Sequence, residues 1–420
     1  SLMSLKLRSK NDWGRLDMSY ETYRVADLID EIAMGPFGSN IKVSCFVDSG
    51  VPVLNGSNLE GFSLSEKAFR FVTKEKADSL NKANAHRGDI VITHRGTLGQ
   101  IAFIPHDSRY DRYVISQSQF RVRCNDKVLP EYLVYYFHTP IGQHKLLSNA
   151  SQVGVPALAR PSSTFQQIEV VLPELSIQKR VVEIISTIQK KIANNQELND
   201  NLYAQAKATT KQWISKSTGD YELLPLSNIA SINPDTYSPK ETWKYVNYLD
   251  TSSITEGCIA EIQHITPSSE KLPSRARRKI APNDIVFSTV RPNQRHYGII
   301  SEPLPNMLGS TGFAVIRSKN PLVCNELIYL CLTENEFIEK MQQLAEQSTS
   351  TFPAIKPSDL GVCEIPCPKD QSSTSFTETL KSLFALIAAN QRENISLSEI
   401  RDVLLPKLMS GEIDVSDIQL

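Results

Sequence analysis

Residues 175–214 read LSIQKRVVEIISTIQKKIANNQELNDNLYAQAKATTKQWI, with no proline or glycine anywhere in the stretch. Within it Val181, Ile185, Ile188, Ile192, Leu202, Thr209 and Trp213 fall on one stripe built from steps of three and four residues. That spacing is the seam of a coiled coil, so the stretch is expected to form one long helix. An isolated helix of about 40 residues, about 60 Å long at 1.5 Å per residue, needs a partner for its apolar stripe. The chain supplies one. Adding 195 to the seam positions gives Phe376, Leu380, Leu383, Ile387, Leu397, Leu404 and Leu408, all apolar. This second stretch ends near Ser410-Gly411, a helix stop. The two helices are expected to pack antiparallel. Asn195-Gln196 and Asn390-Gln391 interrupt the seam near the midpoints. They either fix the register as buried polar residues, at some cost in stability, or face solvent.

The same offset extends outward through the chain. Asp89-Ile90-Val91 recurs as Asp284-Ile285-Val286 and Glu131-Tyr132-Leu133 as Glu326-Leu327-Ile328, and each pair differs by 195 (284 − 89, 326 − 131). Phe120 with Phe313, and Pro156-Ala157 with Pro353-Ala354, slip by two residues in opposite directions, as small loop insertions would cause. A period this long makes each copy a domain rather than a solenoid repeat. Segments 89–93, 100–104, 120–123 and 169–172 read as strands, and 130–137 and 141–148 as helices. The second half repeats the order with strands 285–289, 298–301 and 313–317, then helices from Asn325 and Asn335. The expected class is α/β (α+β): two similar domains related by a pseudo-two-fold axis, separated by two long antiparallel helices. The boundaries are an N-terminal arm 1–20, a domain 21–173, a helix 174–216, a domain 217–370, a helix 371–410 and a tail 411–420.

A chain of 420 residues with 40% hydrophobic and 22% charged residues is ordinary for globular domains. No apolar run approaches the 18–20 residues that cross a bilayer, and the start lacks a signal-peptide core, so a cytoplasmic location is expected. The seven cysteines include no C-x-x-C pair, and Cys363 and Cys367 are read as reduced structural thiols. His86, His94, His138, His144, His264 and His296 have no metal spacing. A phosphate-cradling G-x-x-x-x-G-K-[ST] loop and a strand-borne G-x-G-x-x-G are both missing, so neither an ATP motor nor a dinucleotide site is indicated. Asn233-Pro234-Asp235-Thr236 departs at two positions from the Asn/Asp-Pro-Pro-aromatic signature of amino-methyltransferases. No acidic-x-Lys triplet follows Pro234-Asp235 before Lys279. Nothing here points to catalysis.

In its layout the chain resembles the specificity subunit of type I restriction–modification enzymes. The resemblance runs from about Tyr20 to Ile413. It rests on two variable units, each followed by a long helix, and on several phrases: Gly35-Pro36-Phe37-Gly38-Ser39, Arg87-Gly88-Asp89-Ile90-Val91, Arg95-Gly96-Thr97-Leu98-Gly99, Ser288-Thr289-Val290-Arg291-Pro292-Asn293 and Leu405-Pro406-Lys407-Leu408-Met409-Ser410-Gly411. It implies a non-catalytic, sequence-specific DNA-binding subunit with two target-recognition domains, each reading half of a bipartite site, and a helix pair that sets the spacer. It also implies methylation subunits, two in number, restriction subunits reached through the complex, and S-adenosylmethionine, ATP and magnesium on those partners rather than on this chain.

Base reading in the major groove calls for Arg or Lys towards guanine and Asn or Gln towards adenine, presented from loops on a rigid scaffold. In the first domain the candidates are Asn40, Lys42, Asn55, Ser57, Asn58, His94, Arg95, Thr97, Gln117 and Gln119. In the second they are Tyr237, Arg275, Arg277, Arg278, Arg291, Asn293, Gln294, Arg295, Ser310 and Thr311. The glycines Gly35, Gly38, Gly96, Gly99, Gly309 and Gly312 are assigned to turns. Arg109, Arg112, Arg121 and Arg123 form a looser basic set, and Arg275 to Lys279 a tight one preceding a strand. Against DNA binding stands the net charge of −1, from 45 basic and 46 acidic residues. The alternatives are a protein-binding scaffold that never touches DNA and a self-contained DNA methyltransferase or nuclease.

Overall fold

The computed structural model describes residues 20–36, 40–151, 154–216, 219–238, 240–348 and 352–415. The N-terminal arm up to residue 19, the Phe37-Gly38-Ser39 part of the first motif and the tail beyond residue 415 lie outside these. Chain contacts divide the molecule into two compact units, residues 1–191 with 396–420, and residues 192–395. The dividing lines fall inside the two long helices, Leu175–Lys216 and Thr374–Met409.

In the first unit the buried, β-branched run Ile90–Thr93 forms an interior strand, where both faces are covered and alternation is not required. It pairs with Gln119–Cys124 on one side and Ile101–Phe103 on the other, and Ile29–Met34 closes the four-stranded sheet. A second sheet has five strands in the order Phe46–Val47, Arg70–Val72, Val51–Val53, Arg112–Val114, Asn84–His86. Glu21–Arg24 pairs with Glu169–Leu172, the strand leading into the first long helix. The helices Pro130–His138 and Pro140–Leu147 start on prolines at their first turns, and Thr139 caps the second by accepting from the Gly142 amide.

The second unit has the same plan. Asp284–Ser288 lies between Phe313–Ser318 and Tyr297–Ile300, with Ala230–Ile232 outermost. A second sheet runs Gln263–Ile265, Val246–Leu249, Met307–Ser310, Ala276–Lys279. In each unit the second sheet holds one parallel pairing: Val51–Val53 with Arg112–Val114, and Val246–Leu249 with Met307–Ser310. Tyr221–Pro225 pairs with Glu364–Pro368. Ala276–Lys279 is itself an edge strand carrying Arg277 and Arg278, and the expected strand follows it at Asp284–Ser288.

Long-helix segments pack within each unit. In the first, Ile177, Val181 and Ile185 share a core with Leu405, Leu408 and Met409, and Arg180 Nη1 donates to the Val415 carbonyl at 2.8 Å. Gly411 ends the second helix with φ +70°, and Tyr20 fills the space a Cβ would need. In the second unit Trp213 stacks on Phe376, with centroids 4.4 Å apart and planes at 8°. Tyr203 faces Phe384, Asn199 faces Asn390 and Asn195 faces Asn394, so numbers fall on one helix as they rise on the other: the segments are antiparallel. Of the two readings of the midpoint residues, burial holds for Asn195, only 2% exposed, whereas Gln196 is exposed. Asn195 Nδ2 donates to Asn394 Oδ1 and to Glu393 Oε2, both at 2.8 Å, and Asn390 Nδ2 donates to Asn199 Oδ1 at 2.8 Å. The two amide pairs are repeat copies of each other, since 390 − 195 and 394 − 199 both equal 195.

Candidate nucleic-acid interface

Each unit carries an ion lock at the start of its central strand. Asp89, 1% exposed, accepts from Arg123 Nε at 2.9 Å and Arg121 Nη1 at 3.4 Å, while Arg121 Nη2 donates to Glu31 at 2.6 Å. Asp284, fully buried, takes two bonds from Arg317, Nε at 2.7 Å and Nη2 at 2.8 Å, and Arg317 Nη1 reaches Asp235 at 2.9 Å. Each aspartate also accepts a backbone amide three residues upstream, from His86 and from Ala281. The Arg121 hydrogen bond holds the Glu31 carboxyl below its ordinary pKa, and the paired carboxylates raise that of Arg317. Arg121 and Arg123 therefore belong to the scaffold. Arg112 pairs with Asp78, and the Arg109 guanidinium lies over the Tyr110 ring.

The opposite end of the same strand opens onto a polar rim. In the first unit the His94 amide donates to the Ser118 carbonyl at 2.8 Å, and its Nε2 lies 3.2 Å from the Gln117 carbonyl. Burial lowers the His94 pKa, which keeps the ring neutral as a donor. Thr93 donates to Gln100 Oε1, which lies beside Gly56. This places the Asn55-Gly56-Ser57 turn next to His94, Arg95 and Gln117. Gly35 closes the group: its amide donates to the Gln119 carbonyl, and a Cβ there would collide with the Ser116 carbonyl. Arg95, Thr97, Ser57 and Gln117 are exposed on this rim. Asn40 and Lys42 are exposed too, but among the described residues no hydrogen bond ties them to it.

In the second unit the Thr311 amide donates to the Arg275 carbonyl at 2.8 Å, and Thr289 donates twice to the Gly312 carbonyl, at 2.8 and 2.9 Å. Arg275 and the 289–291 loop thus flank Thr311-Gly312. Asn293 and Gln294 are exposed on the following turn. Both units pin the loop after the central strand against a Pro-Ala segment: the Gly96 amide donates to Pro156 and the Arg291 amide to Pro353, each at 2.9 Å.

Several expected contact residues are committed to the fold instead. Asn58 is fully buried, its amide donating to Ser65 and Lys67 carbonyls at 2.9 Å. Gln119, 1% exposed, closes a turn by accepting the Ser116 amide. Ser310 is buried in its strand and accepts the Gly312 amide. Tyr237, 6% exposed, packs on Trp243 and donates to the Glu241 carbonyl. Arg295 is held by Glu256 at 3.1 Å and Asn335 at 2.8 Å. Arg95, Arg275, Arg277, Arg278 and Arg291 have no carboxylate partner among the described residues. Burial alone lowers the pKa of Arg278, whose Nε finds no acceptor.

Residues missed by the sequence reading include Asp250, Thr251 and Ser252. Asp250 caps the turn Thr251–Ser253 by accepting the Ser252 amide, as Asn55 caps Gly56–Leu59 by accepting that of Ser57. Adding 195 to Asn55 and Ser57 would have found them.

Residues 20–204 match the type I restriction modification DNA specificity domain. The MjaIX type I specificity subunit of Methanocaldococcus jannaschii is 22% identical over 434 aligned positions, covering 97% of each chain. The HindI specificity subunit of Haemophilus influenzae is 22% identical, covering 78% of this chain and 87% of its own. The crystal structure of a type I S subunit from M. genitalium shares the fold with a TM-score of 0.57 at 14% identity, across 94% of this chain and 97% of that one. Over nearly its whole length the chain is thus similar to specificity subunits of type I restriction–modification systems, and residues 20–204 match the DNA specificity domain of such systems.

Proposed function

We propose that each unit reads one half of a split DNA target through its polar rim, and that the helix pair fixes the unread gap between the halves. The observation that carries this is the duplication of the rim itself. The same strand end, the same capped turn and the same loop pinned by a Pro-Ala segment occur in both units, with different side chains on them. Like scaffolds with unlike rims fit two half-sites of different sequence. Half-sites read by a two-fold arrangement lie near one helical turn, about 10 base pairs, or a multiple apart.

The chain acts in this reading by recognition alone. Methyl transfer from S-adenosylmethionine, ATP hydrolysis and magnesium-dependent cleavage belong to methylation and restriction subunits, with two methylation subunits around one copy of this chain. They also supply much of the phosphate neutralisation that a net charge of −1 leaves undone. Asp89 and Asp284 are buried against arginines at the far end of each central strand, so these two carboxylates do not face the rims. Mapping methylated adenines in the host genome tests the proposal: a motif of two short unlike halves around a fixed gap is expected. A continuous motif, or loss of this chain without change in methylation, would refute it. The scaffold reading, which the net charge favours, predicts no salt-dependent duplex binding even with a methylation subunit present.

A further inference from the structure

Position 291 is occupied by an arginine where the repeat has a glycine. Gly96 and Arg291 are 195 residues apart, and both donate their amides at 2.9 Å to the proline of the pinning segment. Both adopt left-handed backbone, φ +90° for Gly96 and +48° for Arg291. Glycine takes that conformation freely, but a side chain there is strained. Something at this position is worth the strain. The guanidinium lies over the Phe352 ring, 4.8 Å from its centroid, and Phe352 is itself 53% exposed. Stacking on a ring holds the guanidinium plane while leaving its edge donors open. Across Thr311-Gly312 sits Arg275, exposed and likewise without a carboxylate among the described residues.

Resting on the DNA reading above, we propose that Arg291, oriented by Phe352, recognises a guanine in the half-site of the second unit, through paired donors to O6 and N7 in the major groove. An oriented planar fork matches those two acceptors. The first unit carries no side chain at the equivalent position, so its half-site lacks this contact.

The test compares the full chain with R291G, which installs the residue of the first unit, and with F352A. Each is assembled with methylation subunits and used to select duplexes from a random-sequence pool. R291G should melt no lower than the parent, because it removes strain. It should lose preference at one G·C pair of one half-site, by roughly ten- to a hundredfold, and keep the other half-site intact. F352A should lose part of the same preference. An unchanged split motif in both variants overturns this assignment alone. Uniform weakening with a shallower salt dependence would make Arg291 a phosphate contact and also overturns it. A lower melting point for R291G removes the strain argument. A parent chain that selects no motif overturns the DNA reading and this inference together.

Discussion

At the residue scale, buried charge separates scaffold from surface. Arg121 and Arg317 look in the sequence like any other basic residue, yet each closes a lock on an aspartate that is at most 1% exposed. Removing one partner of such a pair leaves the other's charge uncompensated. Asp89→Asn and Asp284→Asn should each lower unfolding stability by about 3–5 kcal/mol in urea titrations, whereas Asn40→Ala, at an exposed position, should change it little. His138 offers a pH test. Its Nε2 lies 2.8 Å from the Ile101 carbonyl, its ring lies on Phe62, and burial depresses its pKa, with Arg401 adding to the effect. The folded state resists protonating it, so the stability from neutral His138 is complete above about pH 6.5. That contribution is lost as pH falls through the lower folded value. His138→Gln should flatten the pH dependence of the urea midpoint below pH 6.5; an unchanged slope would count against this. Single residues were the least legible part of the sequence. Asn55 and Asn58 are the same amino acid three positions apart, and only the turn's geometry sends one to the rim and the other into the interior.

At the element scale, legibility followed length. The long helices and the strands around Ile90 and Ile285 stood out because runs of apolar residues leave a period or a block to read. The second sheet of each unit did not, since strands such as Phe46–Val47, Val51–Val53 and Asn84–His86 are too short to show alternation. Tertiary pairing, not local pattern, makes them strands. The asparagine pairs were half legible: Asn195 and Asn390 were noticed as interruptions, while their partners Asn394 and Asn199 needed the register. Asn195→Leu should remove the two hydrogen bonds that Asn195 donates to Glu393 and Asn394 and cost about 1–3 kcal/mol. Paired changes that also replace Asn394 by an apolar residue should recover part of that loss, read by the same denaturation curves.

At the scale of the whole molecule, the first long helix is continuous for 42 residues and would be about 60 Å long. If the helices set the gap between half-sites, matched insertions of one heptad between residues 190 and 201 and at the equivalent place in the second helix should lengthen the spacer. The bases of each half should stay as they were. Methylation mapping of a host carrying the variant measures both at once, and altered half-site bases with an unaltered spacer would contradict the proposal. The internal repeat was what made this architecture readable, because one offset relates strands, helices, locks and rims. What the offset could not supply is the side-chain content of the rims, where the two copies have parted.

That parting has a location. In each copy, the lock fastens one end of the central strand and the rim hangs from the other, with Asp89 and His94 five residues apart and Asp284 and Thr289 likewise. Foundation and frontage are joined by a short rigid beam yet share no side chain. If the rims are what reads DNA, lineages can rewrite target preference at one end without loosening what keeps the molecule upright at the other, and dialects of that preference should evolve readily.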